Sequence, residues 1–192
     1  METPEEINVR ELMDYYGYEG KIGKVRLYFR MLNCWLLQLL ASISPHAGIA
    51  VLLHRMKGVK IGSHVYIGSN VQIDGTYPEL ITIEDYVSIG MNSMIFAHSN
   101  PTNSIWIKKH CYPRKTAPVV IKRGAWIAPG CTILSGVTIG ENSIVGACSL
   151  VINDVKPYTV VAGAPAKPMK ELKELRETLL QKQKHAGRKN VY

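Results

Sequence analysis

From Ile61 onward the chain repeats with a period of six. The first run reads IGSHVY, IGSNVQ, IDGTYP. After four extra residues a second run starts at Ile83 with IEDYVS, IGMNSM, IFAHSN, and after a longer interruption a third starts at Ile121 with IKRGAW, IAPGCT, ILSGVT, IGENSI, VGACSL, VINDVK. The lead position is Ile or Val in all twelve units, and the fifth is Val, Ser, Ala or Cys in eleven, Tyr77 being the exception. A period of six does not keep apolar residues on one face of a 3.6-residue helix, so a helical reading fails. Six residues do hold one short strand and one tight corner. The β-branched lead residue favours extended backbone and fills the interior. The small fifth residue lets the chain round the corner, and Gly, Asn and Asp nearby tolerate unusual backbone angles.

Three units therefore close one triangular coil, and stacked coils pair their strands in parallel, with the lead residues in aliphatic columns. A single rung cannot bury its own face, so stability comes from stacking. The repeat covers residues 61–156, about half of the 192-residue chain. The fold class expected is all-β: a parallel β-helix with a helical segment before it and an amphipathic helix after it. The expected division is 1–58 for the helical segment, 59–166 for the β-helix with a loop at 99–118, and 167–192 for the C-terminal helix and basic tail.

The flanks carry further signals. Residues 32–53 contain no Lys, Arg, Asp or Glu, yet Asn33, Gln38, Ser42 and the Ser44-Pro45-His46-Ala47-Gly48 cluster interrupt them. The segment is long enough to span a bilayer but reads as two helices broken at that cluster and packed on the core or a subunit partner, with peripheral membrane contact through residues 22–57, or a true span, as the alternatives. The acidic, polar N-terminus does not read as a signal peptide. Leu172, Leu175, Leu179 and Leu180 recur at helical spacing and predict the C-terminal helix. The net charge of +8 favours an anionic partner such as a phosphorylated cofactor, a glycan or a lipid surface. No aromatic-basic platform supports nucleic acid as that partner. The four cysteines show no CxxC spacing, so neither a metal site nor a disulfide framework is expected and a reducing cytoplasm fits. Cys131 and Cys148 read as core filling.

His98 stands where regular coils give way to the long loop, and a loop leaving a rigid wall makes a cleft. A neutral imidazole there can take the proton of an attacking hydroxyl. Its second ring nitrogen then needs an acceptor, for which Glu84, Asp85 or a backbone carbonyl are the candidates, and a backbone N–H could hold the oxyanion. Trp106 and Tyr112 in the loop, together with Glu84 and Asp85, are candidates to bind the acceptor. No Ser or Cys sits in a nucleophile motif, which favours direct transfer over an acyl-enzyme.

The hexapeptide units and the run from Ala117 to Leu172 resemble the hexapeptide-repeat acyltransferases, in particular the maltose, galactoside and polysaccharide O-acetyltransferases. The resemblance implies a left-handed winding, a homotrimer, acetyl-CoA as co-substrate, no metal, and His98 as catalytic base. It further implies that Trp126 lies beside the active-site tunnel, that Ala128, Pro129, Gly146 and Ala147 follow the pantetheine arm, that Ala162 and Gly163 lie near the adenine, and that Lys167 and Lys170 face the phosphates. The sequence departs from the usual pattern at Ala128, where Gly is common, and at Lys167, where Arg is common and would bind bidentately. The apolar, basic N-terminal third is closest to the polysaccharide-modifying branch, implying a sugar or glycan hydroxyl as acceptor and a cytoplasmic enzyme at the inner membrane face. A non-catalytic scaffold and an N-acyltransferase on an amino sugar are the competing readings. A γ-type carbonic anhydrase is disfavoured because no two histidines are five residues apart.

Overall fold

A computed structural model describes residues 3–99 and 103–172. The expected C-terminal helix beyond Leu172 lies outside the described residues. The chain opens with three helices: α1 (Pro4–Tyr16), α2 (Gly20–Ile43) and α3 (Ala47–Lys57). Thr3 and Glu6 form a reciprocal cap at the start of α1, and Gly17 ends it in the left-handed conformation. The break between α2 and α3 falls at Ser44–His46, where the His46 side chain accepts from the Gly48 N–H. All-β therefore describes the coils after Gly58 and not the chain, which carries a further short helix in its loop.

The coils follow in order. The first holds β1 (Lys60–Ile61), β2 (Tyr66–Ile67) and β3 (Gln72–Ile73); the second holds β4 (Ile81–Ile83), β5 (Ser88–Ile89) and β6 (Met94–Ile95). The loop carries β7 (His98–Ser99), the helix α4 (Ile105–His110) and β8 (Lys115–Thr116). The third coil holds β9 (Val119–Ile121), β10 (Trp126–Ile127) and β11 (Thr132–Ile133), and the fourth holds β12 (Thr138–Ile139), β13 (Ile144–Val145) and β14 (Leu150–Val151). β15 (Thr159–Gly163) and β16 (Ala166–Glu171) close the stack as an antiparallel pair. The boundary expected at residue 167 thus falls inside a strand.

Three sheets form the faces of the prism: β1-β4-β9-β12, β2-β5-β10-β13-β15 and β3-β6-β11-β14, all parallel. The register pairs lead residue with lead residue, as Ile67↔Ile89↔Ile127↔Val145 shows. These side chains are buried, each contributing about 1.5–3 kcal/mol. The fifth-position serines Ser93, Ser143 and Ser149 are buried but satisfied: Ser93 Oγ, for one, donates to the Ala128 carbonyl at 3.3 Å and accepts from the Cys131 N–H at 3.2 Å. Cys131 fills the core as expected. Cys148 does not: it occupies the fourth position of its unit, an exposed corner with φ 56°.

Glycine at the second position answers to the neighbouring coil. A Cβ on Gly90 would lie 2.5 Å from the Pro129 nitrogen, a contact with backbone that cannot swing away. Gly90→Val is expected to cost more than the roughly 1–3 kcal/mol of ordinary overpacking, read as a lowered thermal midpoint or loss of soluble protein; an unchanged midpoint would contradict this stacking.

Candidate active site

His98 lies just past β6, and its Nδ1 is 2.5 Å from Oδ2 of Asp74, just past β3. The two strands are stacked neighbours, so the fold brings the third unit of one coil against the third unit of the next. The Asp74 side chain is fully buried, and that of His98 is 20% exposed. Asp74 Oδ1 accepts from the N–H groups of Thr76 at 2.8 Å and Tyr77 at 3.1 Å, and Oδ2 also accepts from Ala97 N–H at 2.9 Å. Burial pushes this carboxyl up, but the bond and charge of His98 with the backbone N–H groups of Tyr77 and Thr76 outweigh it and hold Asp74 below the usual range. An ionised carboxylate on Nδ1 fixes the imidazole orientation and leaves Nε2 as the nitrogen available for proton transfer. Tyr77 packs edge-on against His98, its ring 5.2 Å away, and receives a 3.0 Å hydrogen bond from Arg114.

The helices hold this corner. Gln38 of α2 and Lys57 of α3 grip the strand that leads into Asp74: Gln38 Nε2 donates to the Val71 carbonyl at 2.9 Å, and Lys57 Nζ donates to Gln38 Oε1 at 2.6 Å and to the Ile73 carbonyl at 2.5 Å. Burial pulls the Lys57 ammonium down to about 8. On the other side of Asp74, Arg30 of α2 donates to Glu79 at 2.8 Å and to the Tyr16 hydroxyl at 3.0 Å. Between helix and coil is a cleft of about 280 Å³ containing His98 and Asp74, walled by Met31, Cys34, Trp35 and Gln38 of α2.

Of the residues expected from sequence, Glu84 and Asp85 are elsewhere. Glu84 pairs with Lys122 at 2.9 Å, and Asp85 pairs with Arg123 at 3.1 Å and accepts from Ser63 N–H at 2.7 Å. They belong to β4 and its corner, on a different face of the prism, so the orienting carboxylate is Asp74 instead. Trp106 and Tyr112 are exposed on the loop, and the wall of the His98 cleft comes from α2. The loop is fastened to α1: Glu11 Oε2 lies 2.8 Å from both Lys108 Nζ and Arg114 Nε.

The positions assigned by resemblance to the pantetheine arm fall in a column. Ala128, Gly146 and Ala162 each follow the paired lead residue of their rung, and the N–H of Ala128 reaches the Val145 carbonyl just as that of Gly146 reaches Val161. A Cβ on Gly146 would come within 2.9 Å of the Ala162 methyl, so this corner is kept narrow by small side chains. Trp126 is exposed at its foot, Pro129 follows Ala128 round the corner, and Ala147 follows Gly146. At its head, Gly163 pairs with Ala166 and Ala162 with Lys167. Lys167 and Lys170 line a cleft of about 540 Å³ against Val151, Asp154 and Lys156. The column and His98 stand on different corners of one chain.

Residues 118–153 match the family model described as bacterial transferase hexapeptide (six repeats). Over 135 residues the chain is 30% identical to WcaF of Escherichia coli, named as a colanic acid biosynthesis acetyltransferase, covering 62% of this chain and 72% of that protein. The chain belongs to the hexapeptide-repeat transferase family. It is also 29% identical over 139 residues to the galactoside O-acetyltransferase of Escherichia coli, covering 71% of this chain and 66% of that one. Among solved structures, it is similar to the hexapeptide-repeat acetyltransferase VCA0836 of Vibrio cholerae, complexed with acetyl coenzyme A: 28% identity, TM-score 0.62, 76% of this chain and 88% of that chain. The chain spans 44–66% of the length of the first curated relatives it matches. Within this family chain, sequence reasoning missed Asp74 and the α2 wall. Asp74 carries a signal, since it replaces the Gly that follows the lead residue in the two units before it.

Proposed function

We propose that this protein is an acetyl-CoA-dependent O-acetyltransferase acting on a sugar or glycan hydroxyl. The observation that carries the reading is the His98–Asp74 pair, a buried ionised carboxylate orienting an imidazole at the edge of a cleft. Nε2 of His98 accepts the acceptor's hydroxyl proton as its oxygen attacks the thioester carbon. The tetrahedral intermediate then collapses, the C–S bond breaks, and His98 returns the proton to the departing thiolate, giving an O-acetyl ester and free CoA. Acetyl-CoA lies along the column of Ala128, Gly146 and Ala162, where small side chains admit a narrow arm, with Lys167 and Lys170 toward the phosphates.

Because the column and His98 occupy different corners, one chain alone does not bring thioester and base together. A homotrimer, with the left-handed winding of the family, would place the column of one subunit beside His98 of the next. The same reading places the enzyme in the cytoplasm at the inner membrane face, with peripheral contact through residues 22–57.

Thermal-shift titration tests this reading. Acetyl-CoA and CoA should raise the melting temperature by roughly 5–10 °C at a hundred times Kd, and ATP should not match them. No shift at millimolar ligand, and no thiol released from acetyl-CoA, would overturn it.

A further inference from the structure

The α2 helix is apolar on two sides. Leu27, Cys34, Leu37 and Ala41 are buried against the fold, yet the opposite side is apolar as well. Ile22 is 81% exposed, Phe29 73%, Val25 69% and Ile43 70%, and Leu32, Leu36 and Leu40 are also exposed. At 100° per residue, the exposed apolar positions from Met31 through Trp35, Leu32 and Phe29 to Ile22 sweep roughly half the helix circumference. That arc is too broad for the narrow seam two helices share in a coiled coil. α3 adds a stripe at Ile49, Leu52 and Met56, all exposed. A surface of this extent marks an interaction site.

Charge identifies the occupant. Between Glu19 and Asp74 there is no acidic residue, but there are seven Lys or Arg. Arg30 and Lys57 are engaged inside the fold, while Lys21, Lys24, Arg26, Arg55 and Lys60 remain at the surface. The charged side chains of α2 and α3 are all basic, which complements an anionic lipid surface. Tyr28 and Trp35 on the same face suit the boundary between headgroup and acyl chain. No helix among the described residues is long and apolar enough to cross a membrane, so α2 would lie along the surface.

This face also reaches the cleft. Met31 and Trp35 are both exposed on α2 and both wall the cavity that holds His98. We infer that α2 and α3 seat the protein on an anionic lipid surface and that the acceptor hydroxyl belongs to a lipid-anchored sugar delivered past Met31 and Trp35. The identity of the acceptor rests on the acyltransferase reading above; the seating on lipid does not.

The test uses the full chain with vesicles of phosphatidylcholine alone or mixed with phosphatidylglycerol. The protein should float with the mixed vesicles and not with the neutral ones. Lys21→Gln/Lys24→Gln should weaken that partition by roughly thirtyfold. Phe29→Glu/Leu36→Glu, at two exposed positions, should weaken it by about tenfold or more while the thermal shift with CoA persists. With acetyl-labelled acetyl-CoA and membranes of the source organism, label should enter the chloroform–methanol extract and fall to the same degree in the Glu variant. Failure to float with mixed vesicles, with CoA stabilisation intact, overturns this inference alone. So does a drop in the Glu variant's mass by light scattering, which would make a second copy the occupant, or label confined to water-soluble sugars. Flotation without any CoA stabilisation overturns the acyltransferase reading instead.

Discussion

His98→Ala should lower turnover by roughly 10²–10⁴-fold while CoA still stabilises the protein, because the imidazole acts on the acceptor's proton and takes no part in holding the cofactor. Asp74→Asn should lower turnover by about 10²-fold. An Asn amide has one accepting oxygen where the carboxylate uses two: with that oxygen on the Thr76 and Tyr77 N–H groups, its NH2 faces His98 and the Ala97 N–H and can accept from neither. The decisive comparison is the double variant. If Asp74 works through His98, Asp74→Asn/His98→Ala should be no slower than His98→Ala alone, since residues that act as a unit are strongly non-additive. Multiplied losses would make Asp74 a structural brace for the Thr76–Tyr77 turn and nothing more. Near-normal turnover in His98→Ala would remove the general base from the mechanism.

The contrast between Asp74 and Glu84 shows what a repeat makes legible. The lead and fifth positions are read directly, because stacking imposes the same demand on every rung: Ile73, Ile95, Ile133 and Val151 sit one above another as the period requires. Residues on adjacent rungs touch only when they share a face, and the insertion at 79–82 breaks the residue count without breaking the unit count. Counted in units, Asp74 and His98 both belong to the third face, whereas Glu84 belongs to the first. The α2 wall had no such route. Where Gln38 and Trp35 land depends on how α2 docks against the first coil, and docking is fixed by scattered contacts such as Arg30 with Glu79 and Lys57 with the Ile73 carbonyl. The loop behaves likewise: its aromatics suggested a pocket, but its cations settled its position by pairing with Glu11.

The same helical cover that shapes the site should make the protein acid-sensitive. His54 of α3 is buried, 1% exposed, and its Nδ1 has no hydrogen-bond partner among the described residues. Burial, reinforced by the Lys57 charge, pulls its imidazole down to about 3 from an ordinary 6.5. The folded chain therefore keeps His54 neutral while the unfolded chain protonates it below 6.5. Its contribution is fully present above that pH and is lost progressively as the pH falls toward 3, by about 1.4 kcal/mol per pH unit inside the window and a few kcal/mol across it. Asp74, held below its usual range, adds a loss of the same sign at still lower pH. Denaturant midpoints measured from pH 7.5 down to pH 4 should decline in the wild type. His54→Leu removes the titrating group at similar volume and should flatten that decline between 6.5 and about 4. An equally steep decline in His54→Leu would mean that the helices open to solvent before His54 titrates. The acid limit would then lie in the docking of α3 and not in its buried imidazole.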